Sequence, residues 1–104
     1  MISYNVYFSP RPGVDEQRVI AAARRLLDEL RSENMLRAYR ILCVTNPASF
    51  PALPRFQVIV DYGSQQELDE SLNFMRQPGK VRAGAHGELI ELVTDFKVSF
   101  TADV

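Results

Sequence analysis

The sequence has one cysteine, one histidine, no long apolar run and a formal net charge of only -1. A lone Cys43 excludes an intrachain disulfide and a thiolate metal cluster, leaving an apolar strand position as its expected role. A lone His86, with scattered carboxylates such as Asp61, Glu88 and Glu91, lacks the spacing of a metal site, and a haem would have that histidine alone as ligand. Neither a metal nor a cofactor is therefore expected. Nowhere do apolar residues run to the roughly 20 that a membrane span requires. The first residues alternate instead of forming the basic start and apolar centre of a signal peptide, so no membrane partner and a cytoplasmic location are expected.

The near-zero charge removes any general attraction to nucleic acid or anionic lipid, so such binding would need a local patch. The richest stretch holds Arg18, Arg24, Arg25, Arg31, Arg37 and Arg40, but Asp28, Glu29 and Glu33 dilute it and no aromatic residue is interleaved. Arg24 with Asp28 and Arg25 with Glu29 stand four apart, the pattern of a solvated helix face, and no nucleic-acid partner is predicted. Gly79, Gly84 and Gly87 lack the lysine and the strand-to-helix register of a phosphate loop.

What the chain does have is apolar residues in nearly half its positions and ordinary glycine and proline content, the composition of a folding globular protein. Its 104 residues suit a single domain over 1–104 whose stability can draw on a partner. From Ile2 to Ser9, Ile2, Tyr4, Val6 and Phe8 alternate with polar residues, predicting a strand that the Pro10 to Gly13 turn ends. Asp15 caps a helix running to about Asn34, in which Val19, Ala22, Ala23, Leu26, Leu27 and Leu30 recur at three and four. Met35 to Thr45 reads as a second strand of which either face can be the buried one. Asn46 to Pro54, with three prolines, reads as a projecting loop in which Phe50 and Leu53 are apolar enough to cover something.

Arg55 to Tyr62 is the third predicted strand, with Phe56, Val58, Val60 and Tyr62 on its apolar side. Ser64 and Glu67 then form a capping box for a second helix, whose stripe is Leu68, Leu72 and Met75 and which Pro78 and Gly79 end. That cap explains Ser64 without a nucleophilic role. Lys80 to Gly87 reads as a loop, and Glu88 to Asp95 as a short helix burying Leu89, Leu92 and Val93, with a strand there as the competing reading. Phe96, Val98 and Phe100 mark the last strand. The class is α+β, a ferredoxin-like β-α-β-β-α-β order with a short extra helix before the final strand.

In such a sheet both main helices meet one face, and the apolar sides of the first, third and fourth strands are predicted to face them. The other face keeps Asn5, Tyr7, Gln57, Ile59, Lys97 and Ser99, neither solvent-like nor core-like. Such a mixed surface suits a homodimer that closes two sheets around a partly polar interior. There Asn5, Gln57, Asp61 and Lys97 are candidate ligand-binding residues.

With Tyr4-Asn5-Val6-Tyr7-Phe8, the leucine-rich helix after Pro12-Gly13, and the ending His86-Gly-Glu-Leu-Ile-Glu-Leu-Val-Thr-Asp-Phe96-Lys-Val-Ser-Phe100, the chain resembles the dimeric α+β barrel proteins. It is similar above all to the stress-responsive α/β-barrel group and to small bacterial ferredoxin-like proteins of unknown function. The resemblance implies two subunits packed sheet to sheet. It also implies a range of activities, since members include cofactor-independent monooxygenases, haem-degrading enzymes, lactone isomerases and a plant polyketide cyclase, while many have none assigned. The stress-responsive group often places a histidine before its last short helix, in a His-Pro-x-His context whose second histidine is the plant cyclase's base. His86 stands in about that place, with Arg82-Ala-Gly-Ala85 before it and no first histidine.

Histidine alone has an unperturbed pKa near neutrality, so any general acid or base role falls first to His86, with Tyr7 or Tyr4 to orient a substrate oxygen. Two readings remain open. One is a dimeric domain without catalysis that binds a small molecule in an apolar pocket between helices and sheet. The other is a cofactor-independent enzyme, monooxygenase-like or polyketide-cyclase-like, acting on a small aromatic substrate.

Overall fold

Alternation of apolar residues builds four strands and three- and four-residue spacing builds three helices among the described residues. They follow the order β1 (Ile2–Pro10), α1 (Glu16–Ser32), β2 (Ala38–Cys43), β3 (Phe56–Tyr62), α2 (Gln65–Met75), α3 (Gly84–Leu92) and β4 (Val93–Ala102). The structure is a computed structural model that describes residues 1–77, 79 and 84–104. All strand pairs are antiparallel, in the spatial order β2-β3-β1-β4. This is the ferredoxin-like arrangement, with α3 as the extra helix.

Directly paired residues of an antiparallel sheet point to the same side, so the register reads as rows across the sheet. One side carries Tyr39–Val60–Tyr4–Phe100 and Ile41–Val58–Val6–Val98; the other carries Arg40–Ile59–Asn5–Ser99 and Leu42–Gln57–Tyr7–Lys97. The helices cover the first side. That settles the open question about the second strand: Tyr39 and Ile41 join the core, and Arg40 and Leu42 lie on the open face.

α1 buries Val19, Ala22, Ala23, Leu26, Leu27 and Leu30, and the Asp15 carboxylate accepts from the Gln17 N–H at 2.9 Å, as the spacing predicts. Asn34, at φ 57, turns the chain out of this helix, and the Met35 N–H closes back on the Leu30 carbonyl at 2.8 Å. Met35 and Leu36 are thereby spent on the helix exit, and the chain first meets β3 where the Arg37 N–H reaches the Asp61 carbonyl at 2.9 Å, which is why β2 starts later than Met35. At the start of α2 the Ser64 hydroxyl accepts from the Glu67 N–H as predicted, but the reciprocal half of the box is absent. Glu67 instead accepts from the Gly63 N–H at 2.8 Å and takes Arg37 in a two-pronged pair at 2.9 and 3.2 Å. A Cβ on Gly63 would lie 2.6–2.8 Å from that guanidinium, so this glycine makes room for the fork.

Two further expectations change. Gly84 to Gly87, read as loop, form the first turn of α3, while 80–83 and Pro78 lie outside the described residues. The helix ends at Leu92 instead of Asp95, because Val93 already pairs with Pro10 and the Leu92 carbonyl accepts from the Arg11 N–H. The i,i+4 pairs on α1 give way to longer reaches: Arg25 meets Glu88 of α3 at 2.6 Å, and Asp28 accepts from the Tyr39 hydroxyl at 2.6 Å. In the 46–54 loop Phe50 is exposed, while Leu53 is half-buried.

The largest departure concerns β4. Phe96, Val98 and Phe100 point to the helix side as predicted, yet they remain 49 %, 47 % and 53 % exposed. β4 is an edge strand of which only Val93, next to α3, is buried, while α1 and α2 pack over β2, β3 and β1.

Candidate functional site

The core is not filled to the end of the helix side. Between sheet and helices lies a cavity of about 130 Å³. Its floor is buried core, with Val6, Phe8, Ala23 and Val58; its wall takes Leu72 and Met75 from α2 and His86 and Ile90 from α3. Half-exposed Phe96 of β4 also lines it. A space of this size matches a single six-membered ring, since an engineered apolar cavity of about 150 Å³ takes up benzene.

The lining is overwhelmingly apolar, and its polar side chains are few: Tyr4, Tyr62, Ser71 and His86. The β1 alternation brings Tyr4 to this side, and its ring stacks on Phe100 with centroids 5.2 Å apart. Burial raises the Tyr4 hydroxyl pKa, against a smaller opposing pull from the positive Arg76. Burial likewise raises that of Tyr62, whose hydroxyl lies 3.1 Å from the Ser71 hydroxyl. Both phenols are therefore protonated at neutral pH and able to donate. His86, in the first turn of α3, is half-buried on the same wall.

The structure brings only part of the predicted set together. His86 and Tyr4 share the cavity. Tyr7, Asn5, Gln57, Asp61 and Lys97 lie on the opposite side of the sheet, so the strand itself separates Tyr7 from His86. On that face Asn5 donates to the Thr101 hydroxyl at 3.0 Å, Asp61 accepts from Ser3 at 2.6 Å, and Lys97 pairs with Asp95 at 2.6 Å. The first two bonds tie β1 to β4 and to β3, while the Lys97–Asp95 pair lies within β4. Sequence reasoning missed Tyr62 and Ser71 as polar lining. The signal was Ser71 itself, three residues after Leu68 and four before Met75, a hydroxyl on a buried stripe that must find a partner.

No group of three or more histidine, cysteine or acidic side chains able to hold a metal occurs among the described residues. Nor is any helix among them long and apolar enough to cross a membrane.

No protein-family model matches the chain, and no curated protein matches its sequence. Solved structures do match its fold. A protein of Arabidopsis thaliana superposes with a TM-score of 0.81 at 9 % identity, over 100 % of this chain and 96 % of that one. A dimeric ferredoxin-like protein of unknown function from Jannaschia sp. CCS1 gives 0.71 at 17 % identity, over 98 % of both chains. An antibiotic biosynthesis monooxygenase gives 0.63 at 16 % identity, over 100 % and 99 %. At these identities the likeness is one of fold, and the chain has the ferredoxin-like fold of these dimeric and monooxygenase structures.

Proposed function

We propose that this chain is a homodimeric, cytoplasmic small-molecule-binding domain whose ligand occupies the cavity between helices and sheet. The observation that carries the reading is the composition of that cavity: an apolar, ring-sized space with two phenols, one hydroxyl and one imidazole on its wall. Those few polar groups select a monocyclic aromatic ligand bearing one or two oxygen substituents, the apolar body supplying affinity and the hydroxyls orientation. Dimerisation is supported by the dimeric ferredoxin-like neighbour and by the mixed open face of the sheet. The test is titration of phenol into protein carrying ¹³C-methyl methionine. Met75 is expected to shift saturably while Met1 does not, and an unmoved Met75 would refute the reading.

A second reading, a cofactor-independent enzyme with His86 as general base, is favoured by the presence of His86 and Tyr4 on one wall and by the fold of the monooxygenase neighbour. Its substrate would be an aromatic β-dicarbonyl whose acidic C–H meets the imidazole. In D2O the protein should then accelerate α-proton exchange of 1-phenylbutane-1,3-dione, and His86→Gln should lower that rate about 100-fold or more. Equal rates for both proteins would leave the binding reading alone.

A further inference from the structure

We propose that Phe96, turned into the cavity by a bulge at Asp95, is the residue that limits the ligand to a single ring. This rests on the cavity reading above and adds which side chain sets the size of what the cavity accepts.

Strict alternation puts residues 93 and 96 of a strand on opposite faces. In β4 they share one: Val93 is buried beside α3, and Phe96 lines the cavity. The phase changes between them. Tyr7 pairs with Lys97 and Ser9 with Thr94, so Phe8 alone faces both Asp95 and Phe96, the two-against-one count of a β-bulge. Asp95 takes up the extra residue at φ 60, a left-handed conformation in which aspartate is enriched among residues with a side chain. Had the register of Ser9 with Thr94 continued unbroken, Phe96 would oppose Tyr7 on the open face and Lys97 would point to the helix side. Bulges are over-represented beside functional sites, where they re-aim a side chain.

The side chain aimed here is Phe96. Its ring centroid lies 5.7 Å from that of Phe8 on the cavity floor. Among the described residues that line the cavity it is the most exposed, whereas Val6, Phe8, Ala23 and Val58 are core. Its size can therefore change with little loss to the fold. A space of about 130 Å³ takes one ring. A fused second ring needs more, and removing the Phe96 ring frees a ring's volume beside that space. The Lys97 ammonium donates to the Asp95 carboxylate at 2.6 Å, but both side chains are about half exposed and such a pair contributes little. The left-handed backbone, and not the ion pair, places the ring.

The test compares phenol with 2-naphthol, each titrated against the Met75 methyl signal, in wild type, Phe96→Ala, Asp95→Gly and Asp95→Val. Wild type is expected to bind phenol about tenfold or more tighter than 2-naphthol. Phe96→Ala should reverse that order with an unchanged far-ultraviolet circular dichroism spectrum. Glycine adopts φ 60 freely, so Asp95→Gly should keep both the wild-type order and the nuclear Overhauser effect between the Phe8 and Phe96 rings. A β-branched residue is disfavoured at that φ, so Asp95→Val should lose both. A wild type that binds 2-naphthol as tightly as phenol, or a Phe96→Ala protein that still prefers phenol, would overturn the size limit and leave the cavity reading standing. An Asp95→Gly protein that loses the order, or an Asp95→Val protein that keeps either feature, would overturn the placing role of the bulge. Absence of phenol binding in wild type would remove the cavity reading and this inference together.

Discussion

β1 and β4 lie side by side and share one alternation, yet β1 contributes to the core along its length while β4, beyond Val93, is surface. Their residues pair from Ile2 with Ala102 to Pro10 with Val93, across one register shift between Tyr7 and Ser9. Val6 is buried and its neighbour Val98 is half exposed, although both valines point to the same side of the sheet. Alternation reports which way a side chain points. Whether anything lies there to bury it depends on the strand's place in the sheet, because two helices span only the strands beneath them.

The sharpest way to break this comparison is to truncate the two strands' aromatics in parallel. Phe8 is 2 % exposed, so Phe8→Ala should cost about 3–5 kcal/mol of unfolding free energy in urea. Phe100→Ala should cost about 1 kcal/mol or less when the protein is dilute, and more at concentrations where the chain self-associates. Equal, concentration-independent losses would mean that β4 is as much core as β1.

A smaller effect is expected from the polar groups of the two sheet faces. Ser71→Ala leaves the buried Tyr62 hydroxyl without its partner and should cost about 1–3 kcal/mol. Tyr62→Phe added to it should recover part of that loss, since both polar atoms are then gone. Ser3→Ala on the open face removes a bond that water can replace, and a smaller loss in thermal melts is expected.

The weakest effects come with pH and also divide the molecule. Burial raises the Tyr4 and Tyr62 pKa values, so between the unfolded value near 10 and the folded one the native state holds more protons. Their contribution to stability is whole below pH 10 and is lost as pH rises through the folded pKa. Glu67 runs the other way: its hydrogen bond from Arg37, then that from Gly63, lower its pKa. Its contribution is present above the unfolded carboxylate value near 4.5 and is lost as pH falls through the folded pKa. Tyr62→Phe should flatten the alkaline limb of the stability profile and Glu67→Gln the acidic one. Because the Glu67 pair is exposed, added salt should flatten the acidic limb too.

Much of the architecture was legible because local rules and tertiary contacts agreed. Asp15 has a cap's chemistry and caps; Leu26, Leu27 and Leu30 have helical spacing and are buried together. Elements failed where a distant residue competed. Arg37 drew Glu67 away from a reciprocal cap, and Pro10 drew Val93 out of the last helix into β4. Of the candidate site, His86 was legible as the single titratable choice near neutrality. Its grouping with Tyr4, Tyr62 and Ser71 was not, since that depends on two helices and two strands converging from four parts of the chain.

By itself the sequence determined the strand and helix order, the absence of an intrachain disulfide, and which side chains on β1 and β3 share a face. Each of these follows from spacing or composition along one segment. Only the tertiary structure decided which face of β2 is buried, that Tyr7 is cut off from His86, and that β4's apolar row stays open. Those depend on lateral position in the sheet and on where the helices end, and no spacing within a segment encodes either.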